Sequence, residues 1–414
     1  MPPLTEQAAQ VPRLTTLSEW MRASAQEREQ ALQSSLDHIE AIDSSIRAWV
    51  QVHPQQPTGE GMLSKIPFGA KDIIETLGLS TEYGSPIYAG RIGTSDAAII
   101  GELRQRGAIL LGKTQTTAFA HRTPAATRNP RNLAHTPGGS SSGSAAAVAA
   151  GMVPLALGSQ TLGSVLRPAS YCGVTGFKPT HGLIEMEGVL PFAASLDTLG
   201  FFTHTPADMV LLWAALGHTV DGAEECEIGA VEPAPDVEPE MVASFQHALA
   251  ALRAAGVAIR PFDIADLLAT LHSATMIVMA YEAAQFHEQR FNEFGSRLGV
   301  LADLVSEGLA VPADKYDEAK RTIDECGANV AELFAATPVI LVPAATGPAP
   351  KGLAWTGDAH MNSPWTALGT PAISIPMAVG EALPLGLQLV SAHGQDATVL
   401  RAAVRLHGIL GKAP

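Results

Sequence analysis

Between residues 130 and 179 the chain turns to glycine, serine, alanine and threonine, and its charges nearly vanish. Such a tract is either a flexible linker or backbone packed tightly around a site. A Gly/Ser linker is not interrupted by Val148, Val153, Leu155, Leu157, Val165 and Val174, so the tract reads as packed backbone. Residues 145–158 are apolar enough to raise the question of a membrane. Gly151 and Pro154 break the run, it falls short of a spanning length, and it ends in Ser159 and Gln160. The reading is a buried helix followed by a strand.

The rest of the chain extends that pattern. Ser24 with Glu27 three residues later is a capping box, and Leu32, Leu36, Ile39 and Ile46 recur at helical spacing, so the first fifty residues read as helix. Asp96 is expected to cap a second helix that Gly107 ends, ahead of the apolar run 108–111. Strands at 224–231 and 256–261 flank a helix over 239–255, a βαβ pattern. Residues 264–335 read as mostly helical. Short strands follow at 339–342, 372–377 and 385–390, and a terminal helix starts at Asp396. Alternating strands and helices across 1–414 imply an α/β fold, one large domain with a mixed central sheet covered on both faces. With 46% apolar and 16% charged residues the chain can bury a large core. Its net charge of −15 argues against a binder of nucleic-acid backbones. Three cysteines provide no disulfide framework and suit a reducing, cytoplasmic setting. The opening residues lack the basic-then-apolar pattern of a secretory leader, and no membrane partner is expected.

Two pattern matches are formal. Gly107 to Thr114 fits a phosphate loop, but Ala108, Ile109, Leu110 and Leu111 favour a buried strand over wrapping an anion. Residues 139–143 fit a nucleophile elbow, which would make Ser141 the nucleophile of an α/β-hydrolase-like esterase, yet the approach 133–137 is a weak strand. The histidines show no paired metal spacing, and His287-Glu288 lacks a partner motif, so neither metal nor cofactor is expected. Cys172 reads as a small buried residue in an apolar strand. His135 reads as structural. Lys71 follows the apolar lead 66–70, which would bury its amine and lower its pKa, as a general base requires. A lysine paired with the adjacent Asp72 is the plainer alternative. Downstream, 138–143 and 161–164 are two hydroxyl-bearing loops with glycines, suited to turning amides toward a developing oxyanion. Together with a buried lysine they favour a serine nucleophile.

Residues 137–180 closely resemble the signature block of the amidase signature family. The likeness continues through PFGAKDII around Lys71, GAILLGKTQTTAFA, SLDTLGFFT, PAATGPAP, WTALGTPAISIP and LPLGLQLVSAHGQDATVL. It implies an α/β/α sandwich, a Ser-cisSer-Lys mechanism and, over 264–335, a variable segment near the substrate pocket. By position, the family's nucleophile falls on Ser164, its bridging serine on Ser140 and its lysine on Lys71. The oxyanion hole falls on the backbone of Thr161, Leu162, Gly163 and Ser164, and a cis peptide is implied at Gly139–Ser140.

The family's usual block, Asp-Thr-Gly-Gly-Ser-Ile-Arg, is altered here to Gln160-Thr161-Leu162-Gly163-Ser164-Val165-Leu166, with Arg167 one place later. Gln160 can bond the loop without supplying charge. Leu162 must take an ordinary backbone conformation. Arg167 is expected in a different structural salt bridge, and pocket shape and substrate choice are expected to change. The resemblance implies an amidohydrolase that cleaves a carboxylic amide, or a related anilide, carbamate or urea-type bond, through an acyl-enzyme. Its partner is a small-molecule amide, and a homo-oligomer is compatible. The alternative from another class is the A-type subunit of a tRNA-dependent amidotransferase; a further one is a catalytically dead binding protein. Pocket-forming stretches are sought at 81–88, 121–127, 276–294 and 355–365. Tyr83, Ser141, Trp355 and Trp365 are candidate substrate-binding residues, with Tyr281 and Phe286 as further aromatic candidates.

Overall fold

The computed structural model describes residues 13–221, 227–378, 380 and 382–411. Within them a single sheet holds eleven strands. These are β1 (Trp49–Gln55), β2 (Pro67–Lys71), β3 (Ile109–Thr114), β4 (Leu155–Gln160), β5 (Thr175–Lys178) and β6 (Thr198–Thr203), followed by β7 (Ile228–Val231), β8 (Ile259–Phe262), β9 (Val339–Pro343), β10 (Ala372–Pro376) and β11 (Gly386–Ser391). Their order is β1-β3-β2-β4-β6-β5-β10-β11-β9-β7-β8. β2 lies parallel to β3 and β4, and β7 parallel to β8 and β9. The other neighbours are antiparallel. The sheet is mixed, as expected.

Both faces are covered, and the pleat assigns successive residues to separate cores. Ile109 and Leu111 of β3 point into one core and Leu110 into the other. Ala156 is divided in the same way from Leu155 and Leu157 of β4, and Phe202 from Leu199 and Phe201 of β6. Helices Ala25–Ile46 and Ser142–Ala149 close the first core. Helices Ala98–Gln105, Pro206–Ala215, Pro239–Ala254 and Asp396–Leu410 contribute to the second. The architecture is an α/β sandwich.

Local signals explain some of the element ends. Ser24 and Glu27 form the capping box, each side chain bonding the other's backbone N–H. Helix Ala98–Gln105 differs from expectation: it has no side-chain cap. Asp96 instead accepts from the Leu77 amide at 2.9 Å and pairs with Arg104 at 2.6 Å. Gly107 follows that helix at φ +95°, where an added Cβ would strike Ser64. Trp49 opens a strand within the stretch read as helix. Cys172 ends helix Leu166–Cys172 and does not lie in a strand. The strand expected over 224–231 is β7 from Ile228; its first part lies outside the described residues.

Residues 264–335 fold as helices Ala265–Phe294, Val300–Leu309 and Ala313–Ala336, the last ending one residue further on. The first, with the turn after it, is long and apolar enough to cross a membrane by composition; half of its most apolar window is buried inside the molecule, as in a core helix. Glu282 on it accepts from the Ser195 amide at 2.9 Å, the Ser195 hydroxyl at 2.5 Å and the Tyr316 hydroxyl at 2.8 Å. These bonds fasten the helical segment to the loop before β6, over the carboxyl ends of β2 and β4.

Candidate active site

β2 and β4 run side by side with Ala70 opposite Leu157, so Lys71 and Gln160 end them on the same edge of the sheet. The carboxyl edge of parallel strands is where α/β sheets place their sites. Lys71 is fully buried; its Nζ lies 2.7 Å from Ser140 Oγ and 2.9 Å from Ser159 Oγ. Burial, partly offset by the Asp197 carboxylate, brings its pKa down to about 7. Asp72 does not hold it: that carboxylate lies 3.7 Å from Lys113, the lysine of the formal phosphate-loop match, which lies fully buried on β3 and is bonded to the Ile74 carbonyl and Thr81. Among the described residues Lys71 has hydroxyl partners and no ion pair.

Ser140 follows a cis peptide at Gly139–Ser140. The chain then enters helix Ser142–Ala149, passes through β4 and reaches residues 161–164 beside it; the Ser141 amide donates to the Ser164 carbonyl at 3.4 Å. Gln160 shapes this second loop. Its Oε1 accepts from the amides of Val165 at 2.9 Å and Leu166 at 3.1 Å. Its Nε2 donates to Thr366 Oγ1 at 3.0 Å, and that hydroxyl donates to the Leu162 carbonyl at 2.9 Å. A neutral amide thus bonds the loop, and Leu162 lies outside the left-handed region. Asp197 adds a further brace, accepting from Thr161 Oγ1 at 2.5 Å and from the Phe192 amide at 2.6 Å; burial raises its pKa to about 6. Gly163 admits no side chain, because a Cβ there would sit 2.4 Å from Asn362 Oδ1.

Gln160→Leu removes the acceptor of two buried amides, each worth about 1–3 kcal/mol when left unpaired. The expected result is a fall in unfolding free energy of at least about 2 kcal/mol, seen as a lower urea midpoint at unchanged slope.

Ser140 and residues 161–164 open on one cavity of about 330 Å³. Its far wall includes His121, Phe192, Met276, Met279 and Trp355. Among the four stretches searched, 121–127, 276–294 and 355–365 contribute to it and 81–88 does not. Of the candidate binding residues, Trp355 lies on the wall and is 54% exposed. Trp365 is fully buried and packs against Phe334 in the core. Tyr83 is turned away from the cavity, edge-on to Tyr88 and beneath Arg91. Ser141 is also buried, its hydroxyl donating to the Ser159 carbonyl at 3.2 Å with no strand leading into it, which removes the geometry of a nucleophile elbow. Tyr281 stacks on Tyr316, and Phe286 packs edge-on to His287. Cys172 is buried, which pushes its thiol up to about 12.

Arg167 differs from expectation. Among the described residues it makes no salt bridge; Nη2 donates to the Gly139 carbonyl at 2.7 Å, and the side chain lines the cavity. Sequence reasoning also passed over Ser159, Asp197 and His272. Ser159 had a usable signal, since it follows Gly158 just ahead of the second serine loop. Asp197 stood within the recognised SLDTLGFFT segment without a role. His272 carried no signal, because only the packing of its helix brings it to the cavity.

A desolvated amine bonded to one serine, with a second serine and a braced glycine-containing loop at the same cavity, is an arrangement that can support acyl transfer. The chain belongs to the Amidase family, whose model matches residues 23–400. The A subunit of the Glutamyl-tRNA(Gln) amidotransferase of Thermotoga maritima is 29% identical, with 94% of each chain covered. Its counterpart in Treponema pallidum is 32% identical over 82% of this chain and 81% of its own. The crystal structure of an amidase superposes with a TM-score of 0.85 at 26% identity, covering 96% of this chain and all of the other.

Proposed function

We propose that the protein is a serine amidohydrolase that cleaves a small-molecule carboxylic amide, or a related anilide, carbamate or urea-type bond, with Lys71, Ser140 and Ser164 as its catalytic residues. The observation that carries this reading is the fully buried Lys71 amine, 2.7 Å from Ser140 Oγ at a cavity shared with Ser164. The neutral amine takes a proton from Ser140 as Ser140 takes one from Ser164, and Ser164 Oγ attacks the carbonyl carbon. Backbone amides of Thr161, Leu162, Gly163 and Ser164 stabilise the oxyanion. Ser140 then returns a proton to the leaving nitrogen, the C–N bond breaks, and water hydrolyses the Ser164 ester to release the acid. We place this activity in the cytoplasm, a setting that the free thiols of Cys172 and Cys326 support.

The test is a fluorophosphonate probe followed by peptide mapping, run beside a panel of aryl and alkyl amides. Adduct on Ser164 and release of amine are expected; adduct on another serine refutes the assignment. The similarity to amidotransferase A subunits supports a second reading, a glutaminase that works within a complex. It requires glutamine hydrolysis that rises when partner subunits and aminoacyl-tRNA are added.

A further inference from the structure

Arg167 is 6% exposed, yet the protein leaves much of its guanidinium unused. Nη2 is bonded to the Gly139 carbonyl, whereas the buried Nε has no partner. A guanidinium carries five N–H donors, and taking its charge out of water is costly unless an anion compensates. Burial works against that charge. The acid on the same wall, Asp358, is already engaged: its carboxylate lies 3.1 Å from His360 Nδ1 and accepts from the His360 amide at 2.9 Å. Arg122 adds a second cation at the cavity. The other ionisable side chains facing it, His121 and His272, are both pushed toward the neutral form by burial.

Two hydrogen bonds locate the guanidinium relative to the chemistry. The bond to the Gly139 carbonyl ties it to the peptide that precedes Ser140. The Arg167 amide bonds the Gly163 carbonyl at 3.0 Å, tying its backbone to the peptide that precedes Ser164. An anion on the unused donors would therefore share the cavity with the scissile bond, a few bonds away.

We propose that Arg167 is the carboxylate-binding residue of this cavity and that the enzyme's substrates are small amides bearing a free carboxylate close to the scissile bond. This rests on the hydrolase reading for turnover, but not for binding. The acid group can belong to the acyl half or to the amine half, and the assay separates the two.

The Ser164→Ala protein is titrated by calorimetry with short dicarboxylic monoamides, with N-acyl amino acids and with uncharged amides of matched length. One acidic series is expected to bind at least about tenfold more tightly than its uncharged match, and adding Arg167→Leu should erase the difference. In the Ser164 protein, the ratio of kcat/KM for acidic over uncharged amides should fall roughly 100-fold on Arg167→Leu, with partial recovery in Arg167→Lys. An equal loss on both substrate types would mean that Arg167 only braces Gly139, and would overturn the proposal. If Arg167→Leu fails to fold, the preference of the unsubstituted chain decides: hydrolysis of uncharged amides with no gain from a carboxylate refutes the anion site and leaves the hydrolase reading standing. Binding that depends on Arg167 without turnover of any amide does the reverse.

Discussion

Ser164→Ala is expected to lower kcat for any amide substrate by about 10⁶-fold, the scale seen when the nucleophile of a serine hydrolase is removed. In the proposed mechanism the Ser164 hydroxyl becomes the acyl carrier, and no neighbour is placed to replace it. Ser141 is buried on the Ser159 carbonyl, and Ser140 is held by Lys71. Loss of the methylene-bound oxygen leaves the Gln160 and Thr366 braces in place, because they act on Val165, Leu166 and Leu162. The variant should therefore keep its urea midpoint within about 0.5 kcal/mol while losing fluorophosphonate labelling altogether. Retention of turnover above about 1% of the starting rate (an order-of-magnitude bound) would show that another atom attacks the carbonyl.

The second large effect concerns the lysine. Lys71→Ala is expected to reduce kcat/KM by about 10²–10⁴-fold, the usual contribution of a positioned general base. Its pH signature is more specific than its size. The proposed reaction needs the neutral amine, and burial brings the Lys71 pKa down to about 7. Activity should therefore rise about tenfold per pH unit below that value and level off above it. In Lys71→Ala this limb should vanish from the residual rate. Asp197, raised to about 6 by burial, is a nearby group able to imitate such a limb. An Asp197→Asn variant that keeps the inflection near 7 excludes it; an inflection that survives in Lys71→Ala and disappears in Asp197→Asn assigns it to the carboxylate instead.

The parts of this protein that were legible from sequence are those encoded over short distances. The strand leading to Lys71, the two serine loops and the helix and strand between them each occupy a few consecutive residues whose apolar and glycine pattern has one good solution. The alternation of strands and helices likewise announced a sheet covered on both sides. What escaped depended on pairs far apart in the chain. Asp96 had the right side chain and position to cap a helix, but Leu77 and Arg104 captured it. Trp365 and Trp355 are the same residue type ten positions apart; one packs on Phe334 and the other stands on the cavity wall, and only the fold of 355–367 separates them. Arg167 looked like a displaced ion-pair partner because sequence does not reveal which carbonyls lie within reach of a buried guanidinium. Gln160 was legible as a loop tether, but its anchor, Thr366, was not.

Strands β10 and β11 stand between β5 and β9, so two strands made after all the others of this sheet join its first half to the β9-β7-β8 half. Every residue assigned to proton and acyl transfer lies before position 165, yet the Gln160 clip closes on Thr366 and the sheet around it is incomplete until Ser391 has been made. A nascent chain that has passed Ser164 but not reached Ser391 therefore carries the proposed reactive groups without their final support, and premature termination in that interval yields a product with no finished scaffold to aim them.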